Sequence, residues 1–198
     1  MADGAEDPTA AAGRAIRAGA LVVYPTETVY GLGADALDPA AIERVYQVKG
    51  RPRAKPLSLG VPDVGAAIAY TDPDERTIAF LERFLPGPVT VVVPRGEQVP
   101  DALTSGRETV GVRVPAHELA VEIYRAADRP VTATSANLSG APSRTRVADI
   151  DPGLCDSALV VEAGETAGTE STVVEPATGT IHRAGADVEA IREWLASH

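Results

Sequence analysis

One cysteine, Cys155, stands in a chain of 198 residues, so there can be no internal disulfide, thiolate metal cluster or Cys-x-x-Cys redox couple. The three histidines, at 117, 182 and 198, show no metal-ligand spacing, and Cys155 has no cation beside it in Gly153-Leu154-Cys155-Asp156. All four read as structural or solvated. Long apolar runs are missing as well: none approaches the roughly 20 residues of a membrane helix. The start, Met1-Ala2-Asp3-Gly4-Ala5-Glu6-Asp7-Pro8, is acidic where a signal peptide is basic. Positive charge is scarce. Eighteen Lys and Arg against 28 Asp and Glu leave a net charge of −10, which disfavours a nucleic-acid module resting on a broad cationic face. No G-x-x-x-x-G-K-[ST] segment occurs, and no nucleophile has an adjacent base. The expectation is a soluble protein of a reducing, cytoplasmic setting, without membrane attachment.

With 44% apolar and 23% charged residues, the chain can bury a sizeable core. We expect a flexible N-terminus over residues 1–8 and a single domain over 9–198. Helical spacing, caps and terminal glycines predict helices over 9–18, 39–49, 74–85, 117–127 and 187–196. Short β-prone runs bounded by Gly and Pro predict strands at 21–24, 57–59, 89–93, 110–114, 131–134, 158–161, 172–174 and 180–182. Strands outnumber helices without strict alternation, so the class is α/β with a twisted mixed sheet of parallel and antiparallel strands.

The chemistry lies in the loops. Lys49-Gly50-Arg51-Pro52-Arg53-Ala54-Lys55-Pro56 packs four cations into seven residues of an acidic protein. In an extended chain residues 49, 51, 53 and 55 share one side, suited to a polyphosphate. A solvated basic loop at a helix C-terminus is the other reading. Pro25-Thr26-Glu27-Thr28-Val29-Tyr30-Gly31-Leu32-Gly33 mixes hydroxyls, a carboxylate and permissive glycines after a buried strand, fitting either close approach to a small polar ligand or a strand-end turn. Its Gly31-x-Gly33-x-x-Ala36 does not sit directly between strand and helix, and a dinucleotide site is rejected. Thr132-Ala133-Thr134-Ser135-Ala136-Asn137-Leu138-Ser139-Gly140 reads as a binding edge or as a self-satisfied turn, and Gly168-Thr169-Glu170-Ser171-Thr172 repeats the theme. Arg113 and Arg183 lie in strand-like apolar surroundings and need anionic partners, from the protein or from a ligand.

Six segments taken together resemble one family. They are Pro25 to Gly33, Lys49-Gly50-Arg51-Pro52, Pro86-Gly87-Pro88-Val89-Thr90, Val112-Arg113-Val114-Pro115, Thr134 to Gly140 and Glu170-Ser171-Thr172-Val173-Val174. In order and spacing they are similar to the YrdC/TsaC-type L-threonylcarbamoyladenylate synthases, along nearly the whole chain and ending where single-domain members end. The resemblance implies a YrdC-like sheet with flanking helices around a large open cavity. It implies a nucleotidyltransferase that condenses L-threonine, bicarbonate or CO2, and ATP with Mg2+ into threonylcarbamoyl-AMP and pyrophosphate. The product would feed tRNA threonylcarbamoyladenosine through partner proteins that transfer the threonylcarbamoyl group, with weak direct tRNA contact. It also implies that Lys49, Arg51, Ser135 and Asn137 form a nucleotide signature, Lys49 and Arg51 being catalytic. Lys55, Thr109, Ser143 and Arg183 would make further ATP contacts. Thr28, Arg113, the backbone at Ala133 and Ser171 would hold threonine, and no residue is assigned to a metal.

Three positions depart from the family's pattern. Gly60 stands where some relatives carry a histidine near the threonine, so that contact is expected to be lost or replaced by water. Glu175 stands where Asp is common, and Arg183-Ala184-Gly185 replaces Arg-Pro-Gly. Two other classes compete: an RNA-binding or ribosome-maturation module using the same cavity, which predicts steep salt dependence, and a carbamoyl-transfer relative with another acceptor.

Overall fold

The computed structural model describes residues 7–198. Asp7 caps the first helix through its side chain and Pro8 opens it. Residues 7 and 8 of the expected flexible stretch thus form the cap and first position of this helix, and residues 1–6 of it fall outside the described residues.

Helix α1 (Pro8–Arg17) leads to β1 (Leu21–Tyr24) and β2 (Gly31–Gly33), then α2 (Pro39–Lys49), β3 (Ser58–Gly60), α3 (Val64–Ala69) and α4 (Glu75–Phe84). There follow β4 (Val89–Pro94), α5 (Asp101–Thr104), β5 (Thr109–Arg113), α6 (Glu118–Ala127) and β6 (Val131–Ser135). The chain ends through α7 (Pro152–Asp156), β7 (Ala158–Val160), β8 (Thr172–Glu175), β9 (Thr180–Arg183) and α8 (Val188–Ser197). Among the described residues nine strands pair in the order β7-β1-β2-β6-β3-β5-β4-β8-β9. The pairs β1/β7, β3/β5 and β4/β8 are parallel and the other neighbours antiparallel, the mixed sheet that the pattern predicted.

Strand β2 and helices α3, α5 and α7 were not among the predicted elements. Gly31-Leu32-Gly33 has little β propensity of its own. It is a strand because Tyr24 lies across it: an added Cβ would sit 2.9 Å from that ring at either glycine. The three helices span only four to six residues, too few for periodicity to show.

Strand side chains alternate between two faces, and here the faces have different fates. Leu59, Val89, Val91, Val93, Val110 and Val112 point into the main core, where Phe80 of α4 meets Trp194 of α8 at a ring-centroid distance of 5.0 Å. Val22 and Tyr24 of β1 face a second cluster with Ile16 of α1 and with Ile123 and Tyr124 of α6. These two helices cover one end of the second sheet face and leave the rest bare. Their contact is tight at Gly13, where an added Cβ would lie 2.5 Å from the carbonyl carbon of Ala126. No helix among the described residues is long and apolar enough to cross a membrane.

Candidate functional site

The bare part of the second face lines a cavity of about 820 Å³. Its wall consists of the alternate residues that miss the core: Ser58 of β3, Thr90 and Val92 of β4, Thr109, Gly111 and Arg113 of β5, Ala133 and Ser135 of β6, Val173 and Glu175 of β8. Most of these side chains are small, so the face recedes instead of filling. At Gly111 a Cβ would come within 2.8 Å of Ser58 Oγ and 3.0 Å of Thr90 Cγ2.

Ten of the residues expected at the site by resemblance do line this cavity: Thr28, Arg51, Lys55, Thr109, Arg113, Ala133, Ser135, Ser143, Ser171 and Arg183. Lys49 and Asn137 do not line it; they brace its floor from behind. The Lys49 ammonium, 2% exposed, donates to the carbonyls of Ser135 and, at 2.6 Å, Asn137. Burial, reinforced by the neighbouring Arg51, pushes it down to about 8. Asn137 accepts from the Ser135 hydroxyl and donates at 2.7 Å to the Ala141 carbonyl, which closes the turn.

The expected alternation of four cations is not what forms. Lys49 ends α2, and Gly50 takes the left-handed conformation at φ 57°, which turns the chain back on the helix end as Arg51 N–H bonds the Tyr46 carbonyl. A second turn, Lys55 N–H to the Pro52 carbonyl, breaks the extended run. Arg53 is thereby sent outward to Glu43 and over the Tyr46 ring, while Arg51 and Lys55 reach the cavity. Arg51 is held by the carbonyls of Lys55 at 3.1 Å and Pro56 at 2.8 Å.

The partners that Arg113 and Arg183 require are carboxylates of the protein. Arg113 Nη2 donates to Glu27 at 2.8 Å and to Thr28 Oγ1 at 2.7 Å. Thr28 is presented by a turn in which Thr26 Oγ1 donates to the Val29 carbonyl at 2.6 Å. Arg183 Nη1 lies 3.2 Å from Glu170, and its Nη2 donates to the Ser171 hydroxyl at 2.9 Å. Ser143 donates to the same Glu170 at 2.6 Å, tying the segment after β6 to the segment before β8.

Several lining residues escaped sequence reasoning. Arg107 joins Arg51, Lys55, Arg113 and Arg183, so five cations face the cavity against two carboxylates, Glu170 and Glu175. The chain is acidic and its cavity is basic. His182, read as structural or solvated, lines the mouth with its Nε2 3.0 Å from Glu175. Tyr24 and Tyr124 also line it, their hydroxyls 2.7 Å apart. The space next to Gly60, expected to be given up to water, is taken by the second phenol: a Cβ at 60 would lie 2.6 Å from Tyr124 Oη. The legible signal was the run of small polar residues at alternate strand positions; nothing local marks Tyr124.

A family model named for Sua5, YciO and YrdC and described as telomere recombination matches residues 14–185. The threonylcarbamoyl-AMP synthase of Pyrococcus abyssi is 44% identical over 166 residues, 81% of this chain and 48% of that protein. That of Bacillus subtilis is 39% identical over 85% of this chain and 50% of its own length. The chain thus spans about half the length of these curated relatives. The Vibrio parahaemolyticus synthase is 32% identical, over 86% of this chain and 95% of that one. Among solved structures, P. abyssi Sua5 complexed with L-threonine superposes with a TM-score of 0.86 at 37% identity, covering 94% of this chain and 56% of that one. Escherichia coli YciO, at TM-score 0.81 and 24% identity over 90% of this chain and 89% of that one, shares the fold.

Proposed function

Since the chain belongs to the Sua5/YciO/YrdC family, we propose that it is an L-threonylcarbamoyladenylate synthase. It takes L-threonine, bicarbonate or CO2, and MgATP to threonylcarbamoyl-AMP and pyrophosphate. The observation that supports this reading is the convergence on one cavity of Arg113, suited to a carboxylate, with Arg51, Lys55, Arg107 and Arg183, suited to a polyphosphate.

The threonine amine attacks the carbon of CO2, or of bicarbonate with loss of water, and gives up a proton to form a carbamate. A carbamate oxygen then attacks the α-phosphorus of ATP, and pyrophosphate leaves. The reaction asks for positioning and charge neutralisation more than for a covalent intermediate. Arg113 is suited to the threonine carboxylate because its guanidinium forms a planar fork. The remaining cations suit the departing pyrophosphate. Magnesium would accompany the nucleotide and the pyrophosphate, held mainly by their phosphate oxygens. The adenylate would pass to proteins that transfer the threonylcarbamoyl group to tRNA.

The test is incubation of the purified chain with MgATP, bicarbonate and each amino acid in turn, reading pyrophosphate release and the mass of any adenylate. Threonine-dependent release with a threonylcarbamoyl-AMP mass is expected. Absence of turnover, together with tight and salt-sensitive RNA binding, would favour the binding-module reading.

A further inference from the structure

We propose that Tyr24 and Tyr124 together donate a hydrogen bond to the carboxylate of the amino-acid substrate held by Arg113; this rests on the amino-acid reading of the cavity given above. The two phenols come from β1 and α6, 100 positions apart in sequence. Each is 1% exposed, yet both line the cavity. Their rings meet edge to face at a centroid distance of 5.6 Å and their hydroxyls at 2.7 Å.

Two hydroxyls carry two protons, and the bond between them uses one. The second O–H has no acceptor among the described residues. Glu27 Oε2, itself buried without a partner, is not hydrogen-bonded to either phenol. A buried hydroxyl left unpaired is costly, so the pair is built for an acceptor that arrives through the cavity. Burial pushes Tyr24 up to about 12 and Tyr124 well above the ordinary phenol value, so both stay protonated donors.

The location identifies the acceptor. Tyr124 Oη occupies the place where a side chain at 60 would begin, and Gly60 is the register partner of Arg113. Arg113 lines the same cavity as the two phenols and its charge acts on both of them, so an anion on that guanidinium comes within their reach. Arg113 supplies the charge, and the hydroxyl supplies a directional donor that fixes how the carboxylate is turned. That orientation determines where the α-amine points, which is what carbamate formation requires.

The experiment is calorimetric titration of L-threonine, and separately of ATP, into the unaltered chain, Tyr24→Phe, Tyr124→Phe and the double variant, with steady-state kinetics alongside. The double variant should bind threonine about tenfold more weakly or worse, as loss of a hydrogen bond to a charged group implies. ATP affinity should hold while the KM for threonine rises and kcat falls with the loss of amine orientation, and each single variant, keeping one O–H, should lose less. A double variant that binds threonine like the unaltered chain, or that loses ATP affinity in equal measure, overturns the proposal. Should the double variant not fold, the unaltered chain still decides. Threonine should produce a near-ultraviolet tyrosine difference spectrum that L-threoninol, which lacks the carboxylate, does not, and the same spectrum with both refutes the assignment. An unaltered chain that binds no threonine overturns the synthase reading, and this inference with it.

Discussion

Lys49 makes the sharpest physical prediction. Its ammonium is buried, 2% exposed, and pushed down to about 8 from a starting value of 10.5. At 1.36 kcal/mol per pKa unit, holding that charge indoors costs the folded chain about 3 kcal/mol. The folded value lies below the unfolded one. Between about pH 8 and 10.5 the unfolded chain therefore binds the extra proton, and the contribution of Lys49 to stability rises with pH across that window; below it the full cost applies. The chain has only two lysines, 49 and 55, so lysine-selective labelling gives two ε-methylene resonances, and Lys49→Met assigns them by loss of one. The Lys49 resonance should titrate near 8. If it titrates instead in the ordinary lysine range near ~10.4, the burial argument is wrong. The Met variant tests the bracing role as well. Removing the ammonium relieves the charge cost but strips donors from the Ser135 and Asn137 carbonyls, roughly 1–3 kcal/mol each. The two effects nearly cancel, so the melting temperature should move little while kcat/KM for ATP falls about a hundredfold through misplacement of the 135–137 turn. Unimpaired ATP kinetics in a folded variant would refute the brace.

Three further outcomes are expected. Arg51→Ala should abolish threonine-dependent adenylate formation with the circular-dichroism spectrum unchanged, and full activity would remove Arg51 from the mechanism. Arg113→Lys keeps the charge but loses the fork, so the KM for threonine should rise at least about tenfold with ATP affinity unchanged, as equilibrium titration can show. Gly13→Ala should lower the urea midpoint: the new methyl meets the Ala126 backbone, which cannot swing aside, and overpacking of roughly 1–3 kcal/mol outweighs the ~1 kcal/mol gain in helix propensity.

The strands that were legible are those whose own residues insist on the conformation. Leu21-Val22-Val23-Tyr24 and Val89 to Val93 form where the β-branched and aromatic runs placed them, and Leu57 to Leu59 only slides by one residue to Ser58–Gly60. Gly31-Leu32-Gly33 was invisible because its identity is imposed from outside, by pairing with Tyr24 and Ser135 on either side. The basic segment was recognised as a site, but its geometry was not. An alternating side was inferred from extended chain, whereas Gly50 and the turn at Pro52 sort the four cations into one brace, two cavity residues and one surface residue. Most of the residues named by resemblance meet on one cavity, because motif order carries three-dimensional information that local propensity lacks. Tyr124 had neither advantage. On α6 it reads as one more core residue, and only folding brings it to Tyr24.

A wall made of side chains too small to fill their own space leaves room for change. Ala133 and Val173 point half-buried into the cavity, while Val174, next after Val173 along its strand, carries the core on the opposite face. A bulkier residue at one of these inward positions grows into solvent-accessible space and alters what the cavity admits, without disturbing the packing behind it. Selectivity and stability are thereby written on opposite faces of the same strands, so that single substitutions on the cavity face can change what enters while the fold stays intact.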